Sequence, residues 1–186
     1  MYCCFVLVYG RIFASIDERR LAIMRRETKS NVRELIVKEF REQVIHSSLS
    51  SVRVKGIIEA LDISRNTFYY YFDNKFEVAM LIFRRDLSRT LSRNIPKNEL
   101  VEAPVNGDEN FCIPYYVHHE IGKRMLDSSS FMKSFAQCLL ADKELYKKLF
   151  DSKEYEFLDS VVRLFKTPVS NDIDFILNGR DLPRED

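Results

Sequence analysis

SVRVKGIIEALDISRNTFYYYFDNK, residues 51–75, reads as two short helices joined by a tight turn. Ser51 is a good N-cap type, and Val54, Ile57, Ile58 and Leu61 then recur at helical spacing on one apolar face. Asp62 and Ile63 make the turn. Ser64 offers its hydroxyl to the free N–H groups of the second helix, where Phe68 and Phe72, four residues apart, form a narrow apolar stripe. The other faces of that helix carry Arg65, Asn66, Thr67, Tyr69, Tyr70 and Tyr71.

A helix this short is not stable alone, so its neighbours must hold it, and its outward row of donors and rings needs a reason. Double-stranded DNA supplies one. Arg65, Asn66, Thr67 and Tyr70 are the residues expected to face bases in a major groove, and Tyr69 and Tyr71 the ones expected to reach phosphate oxygens. Ser51, at the expected N-terminus of the first helix, sits where backbone N–H groups point toward an anion. The plain alternative for the three tyrosines is a half-buried aromatic patch inside a helical bundle.

The run ISRNTFYYYFDNKFEV, preceded by VRVKGIIEAL, resembles the DNA-binding domain of TetR-family transcriptional regulators. That family's pattern Ser-x-x-Thr-aromatic-Tyr-x-x-Phe-x-x-Lys corresponds here to Ser64, Thr67, Phe68, Tyr69, Phe72 and Lys75, and the likeness runs from about Asn31 to about Leu87. Asn66 departs from it, since the family often has glycine or another small residue there. The resemblance implies a phosphate-anchoring role for Lys75, a palindromic operator, a homodimer, and a second domain that binds a small-molecule effector. It also implies that the helix after Lys75 transmits movement between the two.

The rest of the chain is read as support for this unit. The 186 residues are 46% hydrophobic and 31% charged with five glycines and five prolines, which fits a compact soluble protein of the all-α class. From Met24 to Asn94 fourteen Lys and Arg stand against nine Asp and Glu, whereas from Ile95 onward twelve stand against seventeen, so the DNA candidate is the basic half. Four cysteines without a C-x-x-C pair make a disulfide framework improbable and point to a reducing cytoplasm. Cys112 near His118 and His119 offers metal-ligand types, but ligands this loosely spaced more often pack separately, so no metal site is expected.

In chain order, residues 1–23 form an extra segment, apolar at first but too short for a membrane span, and the functional fold is expected to start at Met24, the alternative being an extra helix packed on the core. A bracing helix runs over Asn31–His46, capped by Ser30, with Val32, Leu35, Ile36, Phe40 and Val44 on one face; Leu49 packs back from the loop after it. Residues 24–74 thus make a three-helix helix-turn-helix domain. A connecting helix capped by Asp73 and Asn74 covers 75–93, and 94–114, with three prolines and no helical period, is a linker. A helical regulatory domain fills 115–186, in segments Tyr115–Leu126, Ser130–Leu140, Asp142–Phe150, Lys153–Phe165 and Asp172–Leu177, with caps at Ser130 and Asp142. Gly179, Asp181 and Pro183 announce a further helix that does not follow, so the C-terminus, and with it the dimer interface, is expected to be truncated.

Aromatic side chains from Phe111 to Phe165, among them Tyr115, Tyr116, Phe131, Phe135, Tyr146, Phe150, Tyr155 and Phe157, with Met132, either line an effector pocket with His118 or His119 as polar handles or simply fill a core. No ligand class is legible in them. The scattered glycines exclude a phosphate-cradling loop and a nucleophile elbow, and no catalytic set appears, so no enzyme and no cofactor is expected. The expected function is a sequence-specific DNA-binding regulator, most simply a ligand-responsive repressor. The alternative keeps the fold as an interaction module whose DNA binding is impaired by an incomplete dimer interface.

Overall fold

A computed structural model describes residues 31–105, 108–117, 128–152 and 154–177. Helix α1 covers 31–46, α2 Val54–Leu61, α3 Arg65–Tyr71 and α4 Lys75–Asn94. After a single 3-10 turn at Lys97–Glu99 come strands β1 (Leu100–Val105) and β2 (Asp108–Val117), then α5 (Ser128–Ala141), α6 (Lys143–Phe150) and α7 (Tyr155–Leu177). The expectations for residues 1–30, for His118 and His119, and for the chain beyond Leu177 lie outside the described residues.

Ile36, Phe40 and Val44 of α1 recur every four residues and are fully buried, whereas Leu35, expected on the same face, is 43% exposed. One position before Ile36 it is turned about 100° off that stripe. Leu49 does pack back into the core, and Val52 joins it there. That anchoring delays the next helix. Ser51, expected as its cap, lies instead in a turn: its N–H donates to the Ser48 carbonyl at 3.1 Å and its hydroxyl bonds the Ser48 hydroxyl at 2.8 Å. The cap position of α2 is taken by Arg53, whose side chain makes no capping bond.

Phe72, expected inside α3, is the extended residue just past its end, yet it remains buried with its ring 6.0 Å from that of Phe68. Asn74 alone caps α4, its Oδ1 accepting from the N–H groups of Phe76 and Glu77, while the N–H of Asp73 donates to Glu77 Oε2 at 2.8 Å. Helix α4 buries Val78, Leu81, Ile82, Phe83, Leu87 and Leu91, more than one narrow stripe, because it contacts α5, α7 and both strands.

The expectation of an all-α chain holds only in its coarser form, because two strands fall where a linker without helical period was expected over 94–114. The chain is mostly helical, but that segment forms a two-stranded antiparallel hairpin in which Leu100 pairs with Val117, Ala103 with Ile113 and Val105 with Asp108. Register irregularities at Val101/Glu102 and Pro104/Val105 interrupt the alternation by which a strand is recognised. Pro104 and Pro114 are tolerated because each strand of a two-stranded sheet has a free edge. Tyr115–Val117, expected to begin a helix, closes β2 instead. Val105, Tyr116 and Val117 are buried, and the Arg84 guanidinium of α4 donates to the carbonyls of Pro104, Ala103 and Ile113, binding both strands to the helix.

Helices α5 and α6 follow the expected segments, with Asp142 Oδ1 accepting from Leu145 N, although Ser130 lies inside the first turn of α5 rather than capping it. The two last segments are one helix. Pro168 lacks an N–H and crowds the carbonyl four residues earlier, which is why the sequence suggests a break, but α7 continues through it. The rings of Phe83, Phe135, Tyr146, Phe157 and Phe165 meet edge to face at 6.0–6.4 Å, joining α4 to α5, α6 and α7 in one core.

Candidate nucleic-acid interface

The α2–α3 unit is held by local chemistry. Asp62 adopts φ 50°, in the left-handed region, and its N–H closes α2 on the Glu59 and Ile58 carbonyls. Ser64 Oγ then accepts from Thr67 N at 3.0 Å and lies 2.8 Å from Thr67 Oγ1, so the cap expected there is formed. Phe68 drives α3 into the core.

The residues assigned to DNA separate into three groups by exposure. Arg65, Asn66, Tyr69 and Tyr70 are exposed, Tyr70 by 63%, and the Arg65 guanidinium lies over the Tyr69 ring at 5.4 Å, two groups arranged as one amphipathic surface. Thr67 and Tyr71 are half-buried; the Thr67 hydroxyl is held by Ser64, and the Tyr71 ring meets Tyr70 edge to face at 4.9 Å. Lys75 is only 9% exposed. Its Nζ donates to the carbonyls of Leu49 and Val52 at 2.8 and 3.2 Å and to Glu154 Oε1 at 3.0 Å, with Glu154 Oε2 2.7 Å away. A phosphate role for Lys75 requires those contacts to break.

Arg53 and Lys55, exposed at the start of α2, stand where the sequence reading placed Ser51, and no side chain caps the backbone N–H groups between them. Reading the helix start two residues early hid both; the apolar Leu49 and Val52, spaced to pin the loop, were the available signal. Ser51 itself is exposed and its hydroxyl is engaged with Ser48.

Behind this surface a polar node ties α1 to the later helices. Arg41 of α1 donates to Asp86 of α4 at 2.8 Å and to Asp142 at the head of α6; Asp86 also accepts from Tyr146 Oη at 2.9 Å. Burial pushes the Cys138 thiol next to Tyr146 up to about 11, and burial and the Asp86 carboxylate raise Tyr146 as well. Most of the aromatics named as possible effector contacts touch one another, although Met132 and Tyr155 are exposed. Among the described residues, no group of three or more His, Cys, Asp or Glu could hold a metal ion, and no helix is long and apolar enough to cross a membrane.

No family model, curated protein or solved structure matches the chain.

Proposed function

We propose that the protein is a cytoplasmic, sequence-specific DNA-binding regulator, a homodimer on a palindromic operator, in which α2 and α3 act as a helix-turn-helix unit and α3 enters the major groove. The observation that carries this reading is α3: Phe68 is buried while Arg65, Asn66, Tyr69 and Tyr70 stand exposed beside it. Donors and rings on a short, capped and anchored helix suit base edges and phosphates. The likeness of residues 64–75 to the TetR pattern supports a repressor relieved by a small effector, with no catalytic step. Arg53 and Lys55 add cations beside the same surface. For the dimer, the support is a row of exposed apolar residues on α7, Tyr155, Val162, Val169 and Ile173.

A mobility-shift assay on the DNA flanking its own coding region tests the proposal. Arg65→Ala should cost about 1–3 kcal/mol and relax one base position, whereas Arg53→Ala should weaken all sequences alike and lower the salt slope by roughly one unit. Absence of any shift at low salt would overturn the reading. One observation favours a second reading, an interaction module without DNA binding: Lys75, the phosphate anchor of the family pattern, is held inside by Glu154. Retained dimerisation with no shift on any DNA would select it.

A further inference from the structure

Arg85, Arg89 and Arg93 follow one another at four-residue intervals along α4, so their guanidinium groups share one face of that helix. Like charges one turn apart repel, and an isolated helix would avoid the arrangement. Two of the three are answered from within the protein: Arg85 by Glu34 of α1 at 2.8 Å and Arg89 by Asp86 at 3.0 Å. Asp86 is already shared with Arg41 and Tyr146. The exposed Arg93 repeats the charge with no carboxylate of its own among the described residues, and the end of a helix dipole offsets it only in part.

This face opens on a cleft of about 410 Å³ between α1, α4 and the junction of α5 with α6, in the size range of small-molecule sites. Its lining has two chemistries. Arg41, Arg85, Arg89 and Arg93 outnumber Glu34, Asp86 and Asp142, and between them the half-buried Val37 and the exposed Ala141 supply apolar surface. A free phosphate would use only the first; a carboxylate on a small apolar body would use both, since guanidinium groups take carboxylates in paired hydrogen bonds.

We propose that this cleft binds a small apolar carboxylic acid, its carboxylate held by Arg89 and Arg93 and its body lying against Val37 and Ala141. The acid supplies the negative charge that Arg93 lacks, and in drawing on Arg89 it loosens that residue from Asp86, leaving Asp86 to Arg41 and Tyr146. The site thereby touches the node that joins α1 to α4 and α6. It goes beyond the DNA reading and does not depend on it, because binding is measured on the protein alone.

Titration of the full chain with benzoate, hexanoate and inorganic phosphate at constant ionic strength, followed by calorimetry and by amide chemical shifts, tests this. Benzoate or hexanoate should bind saturably and more tightly than phosphate. Arg93→Gln and Arg89→Gln should each weaken that binding by about tenfold, while Arg163→Gln on α7 leaves it unchanged. Circular dichroism verifies that the variants fold, as expected for exposed positions. Absence of saturable binding, equal binding of phosphate, or carboxylate affinity that survives Arg89→Gln and Arg93→Gln would overturn the proposal.

Discussion

Lys75 occupies the first position of α4, at the positive end of the helix dipole, and is nearly enclosed; a cation there is held only by what surrounds it. Glu154, 79 residues later, is its one carboxylate among the described residues. Glu154→Gln should therefore destabilise the fold by about 2–3 kcal/mol, below the range for a fully enclosed pair because the Glu154 side chain is 27% exposed. Lys75→Met should cost a similar amount by leaving the Leu49 and Val52 carbonyls unpaired, and the double variant should cost clearly less than both together in a urea-denaturation cycle. Strict additivity would show that the pair does not couple. Cys138 yields a second test at this scale. Its thiol holds its proton up to about pH 11 in the fold against 9.0 ordinarily, so its contribution is intact below pH 9 and is lost as pH climbs through 11, about 2–3 kcal/mol in all. The urea midpoint should fall across that window, and less steeply in Cys138→Ala. Ser64 and Phe68 were legible in the sequence because a cap and a buried ring act within one turn. The burial of Lys75 was not, since its partners are two loop carbonyls and a distant acid, none of which leaves a local pattern.

Among the elements, α2 and α7 are the two built against a local rule. The first has Arg53 at its cap, in extended conformation and without a capping bond. Arg53→Asp places an acceptor on the free N–H groups and removes a cation from the positive helix end, and should stabilise by about 1 kcal/mol in thermal denaturation. An unchanged midpoint would mean that water satisfies that turn equally well. In α7, Pro168→Ala restores a hydrogen bond to the Leu164 carbonyl; the roughly 3 kcal/mol difference in helix preference exceeds the apolar burial given up with the ring, about 1 kcal/mol. A net gain of about 1–2 kcal/mol is expected, and a lower melting temperature would show that the ring's burial dominates. Helices whose apolar residues recur cleanly, α1, α4 and α6, were readable to within a residue or so. The hairpin was hidden by its two register breaks and prolines, and α7 by a proline that the surrounding core overrides.

At the scale of the whole molecule, the exposed row on α7 predicts association. Tyr155 and Val162, 78% and 64% exposed, continue through Val169 to Ile173 along one helix. Sedimentation at micromolar concentration should give a dimer, and Val162→Asp a monomer of unchanged helicity; a monomeric parent protein would refute the assignment of this face. The basic and acidic halves were visible in composition alone, but not what joins them. Helix α4 joins them by belonging to both: Lys75 at its start bonds the loop carbonyls of Leu49 and Val52, and Phe83, Leu87 and Leu91 enter the core shared with the hairpin, α5 and α7. Among the described residues, those that cover its far side, in the hairpin, α5 and α7, are made after α4, so the nascent chain displays that apolar face until they emerge. A polypeptide ending at Asn94 should accordingly be sticky and chaperone-bound rather than a free-standing headpiece, and gene rearrangements that transplant residues 31–94 onto a foreign partner should succeed only when the new partner brings its own cover for α4.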